Sequence, residues 1–211
     1  MPRIDHAFVC TAAGAPAAGR LIDFGLAEGA PNRHPGQGTA NRRFFFDNFM
    51  LEFLWVENPE EAQSAQTCRT RLWERWSAPG GAVCPFGFIL APAAEAEEAC
   101  PFRSWRYAPP TMPGLDLAIA ADTDLGEPMW CYMQAVRPRP PVSHPAGLRA
   151  LTALRLAGPA PGRTSVTTAM ARQNVISLVA RDAYSLELEF DCAQQKSRAD
   201  FRPALPLILH Y

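Results

Sequence analysis

The stretch His34–Asn41, HPGQGTAN, decides how the first third of the chain is organised, because it joins two glycines to polar side chains and leads directly into a strand. Gly36 and Gly38 allow a positive φ or a close approach to the main chain. Three further residues place hydrogen-bond donors and acceptors around the same turn: His34, Thr39 and Asn41. The pattern predicts a small-molecule binding loop, although Pro-Gly followed by a second glycine is also typical of an ordinary turn.

Strands are expected on both sides of this loop. The aromatic-rich segments Asn41–Asp47 and Phe49–Glu57 predict a hairpin with a tight Asp-Asn turn between them. Near the N-terminus, Ile4–Cys10 alternates as a strand that places His6 on a face with apolar side chains. Pro16–Gly25 then predicts a short helix, with proline at its start and glycine at its end.

Glu52 interrupts an otherwise apolar strand of that hairpin. Burying an unpaired carboxylate is costly or forces its protonation, so Glu52 needs a partner. A divalent metal ion would satisfy this need, with His6 on the first strand as the second ligand. The sequence leaves two other readings open, a hydrogen-bonded core histidine at position 6 and an ion pair of Glu52 with Arg42 or Arg43.

These residues and their order resemble the glyoxalase-like branch of the vicinal oxygen chelate superfamily. Its members carry a His-Pro-Gly-x-Gly-Thr-x-Asn loop between an early helix and a strand pair, and here the loop lies within GLAEGAPNRHPGQGTANRRFFFDNFMLEFLWVENPEEA, preceded by IDHAFVCT. RTRLWERW, CPFGFILAP, RSWRYAPP and SHPAGLRALTALRL are similar to the same branch less specifically, so the resemblance covers most of the chain. It implies that the positions of His6 and Glu52 hold metal in many relatives and that His34 lines the pocket. It does not imply a reaction, because this fold hosts lyases, isomerases, ring-cleaving dioxygenases and metal-free drug-binding proteins.

The resemblance predicts an α+β fold of paired βαβββ modules that form curved mixed sheets around a shared pocket, with an additional C-terminal β-rich partial repeat. The first module is expected at residues 1–57, a connecting helix and loop at 58–83, the second module at 84–137, and a Pro-rich link with the partial repeat at 138–211, all in one compact unit. The connecting helix is expected to begin at Asn58, an N-cap that precedes Pro59 and two acidic residues.

Local patterns place the remaining elements. A short acidic helix is expected at 94–100, and the predicted strands are Phe86–Ala91, Ser104–Tyr107, Leu115–Ala120, Met129–Val136, Ala150–Leu156, Val175–Ala180 and Ser185–Asp191. The strand at Phe86–Ala91 has no histidine, and Glu127 precedes the last strand of its module, so the second module does not repeat the His6 and Glu52 pair. The tetrapeptide ELEF around Glu189 echoes MLEF around Glu52, but its alternation puts Glu189 on a polar face that suits solvent. The metal-ligand set is therefore incomplete in the sequence.

Composition narrows the partners. A chain of 211 residues with 48% hydrophobic content can bury one substantial core. Its net charge of −1 gives no basic footprint, so we expect a small-molecule ligand and neither nucleic acid nor a membrane. The chain has no recognisable signal peptide and no apolar run near the ~20 residues of a membrane span, so we expect a cytoplasmic protein. Its cysteines are scattered without a Cys-x-x-Cys pair, and we expect them to be reduced thiols. The resemblance also allows a homodimer, because modules of this fold often complete their pockets across pairs.

Two functions are expected from these observations. The favoured one is a metal-assisted enzyme of lyase, isomerase or dioxygenase type that acts on a small oxygenated molecule, with Glu52 as the catalytic carboxylate. His6 and Glu52 would bind Zn, Ni, Co, Mn or Fe, and the substrate would contact His34, Gly36, Gly38, Thr39 and Asn41. The alternative is a metal-free protein of the bleomycin-resistance type that sequesters an apolar or aromatic ligand. No nucleotide cofactor is expected, because the chain has no phosphate loop and no dinucleotide fingerprint.

Overall fold

Eight strands form one mixed sheet in the first two thirds of the chain. The computed structural model describes residues 2–78, 80–93, 99–110, 112, 114–134, 138–159 and 165–211. The strands of this sheet are β1 (Arg3–Cys10), β2 (Asn32–His34), β3 (Thr39–Phe45), β4 (Met50–Val56), β5 (Phe86–Ala91), β6 (Ser104–Tyr107), β7 (Leu117–Ala120) and β8 (Met129–Tyr132). Their spatial order is β2-β3-β4-β1-β5-β8-β7-β6.

This order repeats one arrangement twice. β1 pairs in parallel with β4, β5 pairs in parallel with β8, and the antiparallel β1–β5 pair joins the two halves. In the first half, a 3₁₀ turn at Pro16–Ala18 and helix α1 (Gly19–Phe24) connect β1 to β2, and α1 ends at Gly25 with φ 104°. In the second half, residues 94–98 of the expected acidic helix and residues 135–136 of the expected last strand lie outside the described residues. The predicted α+β fold with mixed sheets is confirmed.

A second sheet is formed by the C-terminal third. It contains β9 (Leu151–Gly158), β10 (Ser177–Ala180), β11 (Ser185–Phe190), β12 (Arg198–Asp200) and β13 (Leu207–His210), in the order β10-β9-β11-β13-β12. Helix α4 (Ser165–Arg172) leads from β9 to its parallel neighbour β10. The central pairs are parallel, antiparallel and parallel, as in the larger sheet. Glu189 lies on β11, a central strand that corresponds to β1 or β5 and not to β4, so it is not the equivalent of Glu52.

The main core lies between the two sheets. Alternate residues of β1, β4 and β5, such as Val9, Phe53 and Phe88, join leucines of β9, β11 and β13 in one buried cluster. Phe46 and Phe190 meet across this core with their ring centroids 4.4 Å apart. Because successive side chains of a strand project from opposite faces of the sheet, the intervening residues of these strands lie on the face that turns away from this core.

The connector between the halves is made of short pieces and is not one continuous helix. α2 (Pro59–Ala62), a 3₁₀ turn at Cys68–Thr70 and α3 (Leu72–Ser77) follow each other. The Asn58 side chain caps α2 by accepting hydrogen bonds from two backbone N–H groups, as predicted. Arg71 separates the last two pieces because its φ of 57° is left-handed and cannot continue a helix. The longest helix in the described part of the chain has 8 residues, too few for any of them to span a bilayer.

Candidate functional site

The face of the eight-stranded sheet that turns away from the core lines a cavity of about 450 Å³. Much of its wall is apolar and comes from both halves of the sheet: Phe8, Leu54, Ile89, Leu117, Met129 and Cys131. Four of the residues predicted from the sequence also line it: His6, His34, Asn41 and Glu52. A largely apolar cavity with a few grouped polar side chains is the usual form of a small-molecule site.

The loop at His34–Asn41 is the turn of the β2–β3 hairpin, in which His34 pairs with Thr39. The backbone N–H groups of Gln37 and Gly38 both donate to the His34 carbonyl oxygen at 3.0 Å. Gly36 and Gly38 each have φ 75°, a value that favours glycine. The turn therefore needs its glycines for its own conformation.

Both glycines also pack against protein. A Cβ on Gly38 would lie 2.3 Å from the Asn58 carbonyl oxygen, and a Cβ on Gly36 would lie 2.8 Å from the Pro110 ring. The Gly36 N–H donates to Glu61 at 2.6 Å. Neither glycine is among the residues that line the cavity. In the described structure the two glycines fix the loop against the connector, while the loop residues His34, Gln37 and Asn41 line the cavity.

His34 is held by hydrogen bonds on both ring nitrogens. The side-chain nitrogen of Asn32, Nδ2, can only donate, so it donates to His34 Nε2 at 3.0 Å. Nδ1 then carries the proton and donates to Thr39 Oγ1 at 2.8 Å. Burial lowers the pKa of His34 despite the nearby Glu52 charge, which opposes the shift. His34 is thus a neutral residue of the cavity wall, and in this arrangement it has no lone pair left for a metal.

Glu52 has a partner in the protein. Asn41 Nδ2 donates to Glu52 Oε1 at 2.6 Å, and both side chains are buried. Arg43 pairs with Glu52 in the strand register and lines the same cavity, but its guanidinium donates to the Ala30 carbonyl oxygen. Burial lowers the pKa of Arg43, and the Glu52 charge partly offsets that shift. The buried carboxylate is therefore explained by an asparagine hydrogen bond together with a neighbouring arginine charge.

His6 forms a pair with Asp5. The β1–β5 register advances two residues on β1 from Ile4 to His6 for one residue on β5, so Asp5 is the extra residue of a β-bulge. The bulge turns Ile4 into the main core and leaves both Asp5 and His6 on the cavity wall. The simple alternation of Ile4–Cys10 placed Ile4 beside His6 and Asp5 on the opposite face, and the structure corrects this.

The Asp5 carboxylate orients the His6 ring. Asp5 Oδ2 lies 3.0 Å from His6 Nδ1, and since a carboxylate accepts, Nδ1 carries the proton. Arg139 donates to the other carboxylate oxygen of Asp5 and, at 2.9 Å, to its carbonyl oxygen. Burial would raise the pKa of Asp5, but the hydrogen bond from His6 and the charges of His6 and Arg139 outweigh it and hold the pKa below its usual value. Within the part of the chain that the structure describes, His6 Nε2 has no hydrogen-bond partner.

The residues present do not by themselves complete a metal site. His6 Nε2 and the second carboxylate oxygen of Glu52 are two donors on one face, whereas catalytic zinc generally has three protein ligands. The second half of the sheet presents Ile89, Met129 and Cys131, and burial raises the pKa of the Cys131 thiol to about 12, so it stays protonated. Among the described residues, no group of three or more His, Cys, Asp or Glu side chains could hold a metal ion. The metal at His6 and Glu52 stays a prediction.

Comparisons with known proteins bear on the fold. The chain is similar to a crystal structure of a hypothetical protein from Staphylococcus aureus, with a TM-score of 0.54 and 12% sequence identity over 99% of this chain and 98% of that one. A crystal structure of a hypothetical protein from Bacillus halodurans C-125 is similar over 66% of this chain and 99% of its own length, with 12% identity and a TM-score of 0.39. No family model and no curated protein matches the chain. The first of these likenesses shows a shared fold along the whole chain.

Several cavity residues were not predicted from the sequence. Tyr107 reaches the loop by donating to the Gln37 side chain at 3.0 Å, and burial raises the Tyr107 pKa to about 12, so its hydroxyl stays a donor. Asp5 and Arg139 complete the support of His6. Of these three residues, only Asp5 could have been found from its local sequence. A carboxylate next to a histidine in a buried strand is costly unless the two side chains interact.

Proposed function

We propose that this protein is an enzyme that moves a proton on a small oxygenated molecule bound in the 450 Å³ cavity. The observation that carries the proposal is the Asp5–His6 pair on the cavity wall, with Nδ1 of His6 donating to the carboxylate. A carboxylate that holds one ring nitrogen leaves the other as a positioned proton acceptor. The apolar wall suits a substrate whose body is mainly hydrocarbon.

The step that the geometry supports is removal of a proton from carbon next to a carbonyl group. The C–H bond breaks, its proton passes to His6 Nε2, and the electron pair moves onto the carbonyl oxygen to give an enolate. Asp5 stabilises the imidazolium that forms, and the cavity-lining Arg43 places positive charge near the oxyanion. Glu52 projects from the neighbouring strand on the same face and is the second group able to hold or return a proton. Lyase and isomerase reactions both use this step.

The experiment is solvent exchange. A panel of ketones, aldehydes and hydroxyketones with apolar bodies is incubated with the protein in D₂O, and loss of the proton next to the carbonyl is followed by NMR. We expect exchange for at least one compound and its loss in His6→Asn. His210→Asn is the matched control, because His210 lies on β13 of the second sheet. Exchange that persists in His6→Asn would show that His6 is not the base.

The predicted metal is tested in parallel by elemental analysis after loading with Zn, Ni, Co, Mn or Fe(II). Stoichiometric metal that disappears in both His6→Asn and Glu52→Gln would support the two residues as ligands and would mean that further donors complete the site. Metal that survives both changes, or no metal under any loading condition, would remove this pair from the metal hypothesis.

A metal-free binding protein is the second candidate, and it rests on a separate observation. The Asn41 hydrogen bond already satisfies one oxygen of Glu52, so the carboxylate has a structural explanation without a metal. In that case Glu52→Gln keeps ligand affinity, because glutamine still accepts from Asn41. A ligand retained equally by wild type, His6→Asn and Glu52→Gln, with no solvent exchange for any compound, is the result that would favour binding over catalysis.

A further inference from the structure

A second cavity, of about 210 Å³, lies beside the first and is lined by three arginines: Arg69, Arg71 and Arg75. Thr70 and Met129 line both cavities, so the two are neighbours separated by these side chains. The three arginines lie on the connector, in and between its 3₁₀ turn and α3. The opposite wall of the cavity comes from β6, β7 and the segment after β7.

Arg75 is buried and incompletely paired. Only 7% of its surface is exposed, and its Nη1 donates to the carbonyl oxygens of Cys84 and Glu127. Its Nε is a buried donor with no hydrogen-bond partner among the described residues. A buried, incompletely paired cationic donor on a cavity wall is costly unless a ligand or water supplies the missing acceptor.

The other two arginines, Arg69 and Arg71, are exposed and form no ion pair with a carboxylate of the described residues. The Arg69 guanidinium lies 4.3 Å from the centre of the Trp105 ring, which holds it at the cavity. In the described part of the chain, no ion pair joins Arg69, Arg71 or Arg75 to a carboxylate. By contrast, Arg106 on the nearby strand β6 and Arg103, which directly precedes that strand, each pair with an aspartate.

The charge of the lining selects the ligand class. Asp124 is the acidic residue of the lining, and its carboxylate accepts from the Gly126 N–H at 2.7 Å. Among the residues that line the cavity, three arginines and one aspartate give an excess of two positive charges. Glu127, whose carbonyl oxygen accepts from Arg75, is buried and is not part of this lining. A phosphate monoester or inorganic phosphate carries close to two negative charges near neutral pH, whereas a carboxylate carries one. Planar guanidinium groups also match the paired oxygens of phosphate.

We infer that this cavity is a phosphate-binding site, formed by Arg69, Arg71 and Arg75 and separate from the main cavity. It does not depend on the proposed proton-transfer activity. The ligand is either free phosphate or the phosphate group of a small monoester, and both present the same chemistry to the three arginines. Because two of the arginines are exposed, salt should weaken the binding.

The test is titration of the full chain with inorganic phosphate, followed by calorimetry and by the arginine Nε–Hε signals in ¹⁵N NMR. We expect saturable binding, and Arg69→Gln and Arg71→Gln should each weaken it on the order of tenfold or more. Both changes are at exposed positions, so the fold should be retained. The signals of Arg69 and Arg71, assigned from their loss in the two variants, should shift on binding.

Three controls make the result specific. Arg172→Gln removes the same charge from an exposed position on α4 and should leave the affinity unchanged. Arg43→Gln alters the main cavity and should also leave it unchanged. Phenyl phosphate that binds more tightly than phosphate identifies a monoester as the ligand, and equal affinity identifies the free anion. No saturable binding, equal weakening by Arg172→Gln, or loss of binding in Arg43→Gln but not in Arg71→Gln would overturn the inference.

Discussion

Replacing Gly38 by alanine tests whether the loop glycine is required by packing. At φ 75° an alanine costs about 1–2 kcal/mol through the left-handed backbone alone. Its Cβ would also lie 2.3 Å from the Asn58 carbonyl oxygen and 2.6 Å from the Ala62 nitrogen, which are backbone atoms that cannot rotate away. Overpacking of this kind costs about 1–3 kcal/mol more. We therefore expect Gly38→Ala to lower the free energy of unfolding by about 2–5 kcal/mol.

Gly14→Ala is the matched control, because Gly14 has the same φ of 75° but no atom within 4 Å of an added Cβ. Both substitutions reduce the entropy of the unfolded chain equally, so that contribution cancels in the comparison. At about 3 °C of melting temperature per kcal/mol for a chain of this size, Gly38→Ala should melt roughly 3–9 °C below Gly14→Ala. Differential scanning calorimetry measures this difference. Equal melting temperatures would refute the argument that the connector packs against Gly38.

Two further predictions concern buried polar groups. Asn41→Asp places a second carboxylate against Glu52 and should cost about 1.5–3 kcal/mol of stability at neutral pH. Adding Glu52→Gln should recover most of that loss, because the glutamine amide then donates to the aspartate. Urea denaturation measures both variants, and a double variant no more stable than Asn41→Asp would contradict the pairing. Burial is the main cause that lowers the pKa values of His34 and His144 in the folded protein. Below the ordinary histidine pKa of 6.5 the unfolded chain therefore binds more protons, and the melting temperature should fall as the pH is lowered through 6.5 toward 5. A melting temperature that stays constant or rises over this range would contradict the assignment of both histidines as buried neutral residues.

The fold was predictable where the pattern is local. Alternation along Phe49–Glu57 separated Phe53, which the structure places in the core, from Glu52, which it places on the cavity wall, because the period of a strand is a property of the backbone. The N-cap at Asn58 was visible for the same reason. β2, β12, β13 and α4 were not predicted, and the first two have only three residues each, too few for a periodic signal.

The site was predictable only in part, because its decisive contacts join distant segments. Arg139 is 134 residues from Asp5, and Tyr107 is 70 residues from Gln37. The bulge at Asp5 depends on the register between β1 and β5, which no feature of β1 alone specifies. The sequence could indicate that His6 faces a pocket, but the pairing that orients its ring needed the tertiary structure.

Long-range ¹H–¹⁵N NMR of the imidazole rings gives the tautomeric state of the four histidines and so tests the proposed proton acceptor itself. The hydrogen bonds predict the Nδ1–H form for His6 and His34, and the Nε2–H form for His144 and His210. His6 in the Nδ1–H form, assigned by its loss in His6→Asn, would leave Nε2 unprotonated toward the cavity, as proton transfer requires. His6 in the Nε2–H form would contradict the Asp5–His6 pair and with it the proposed proton acceptor.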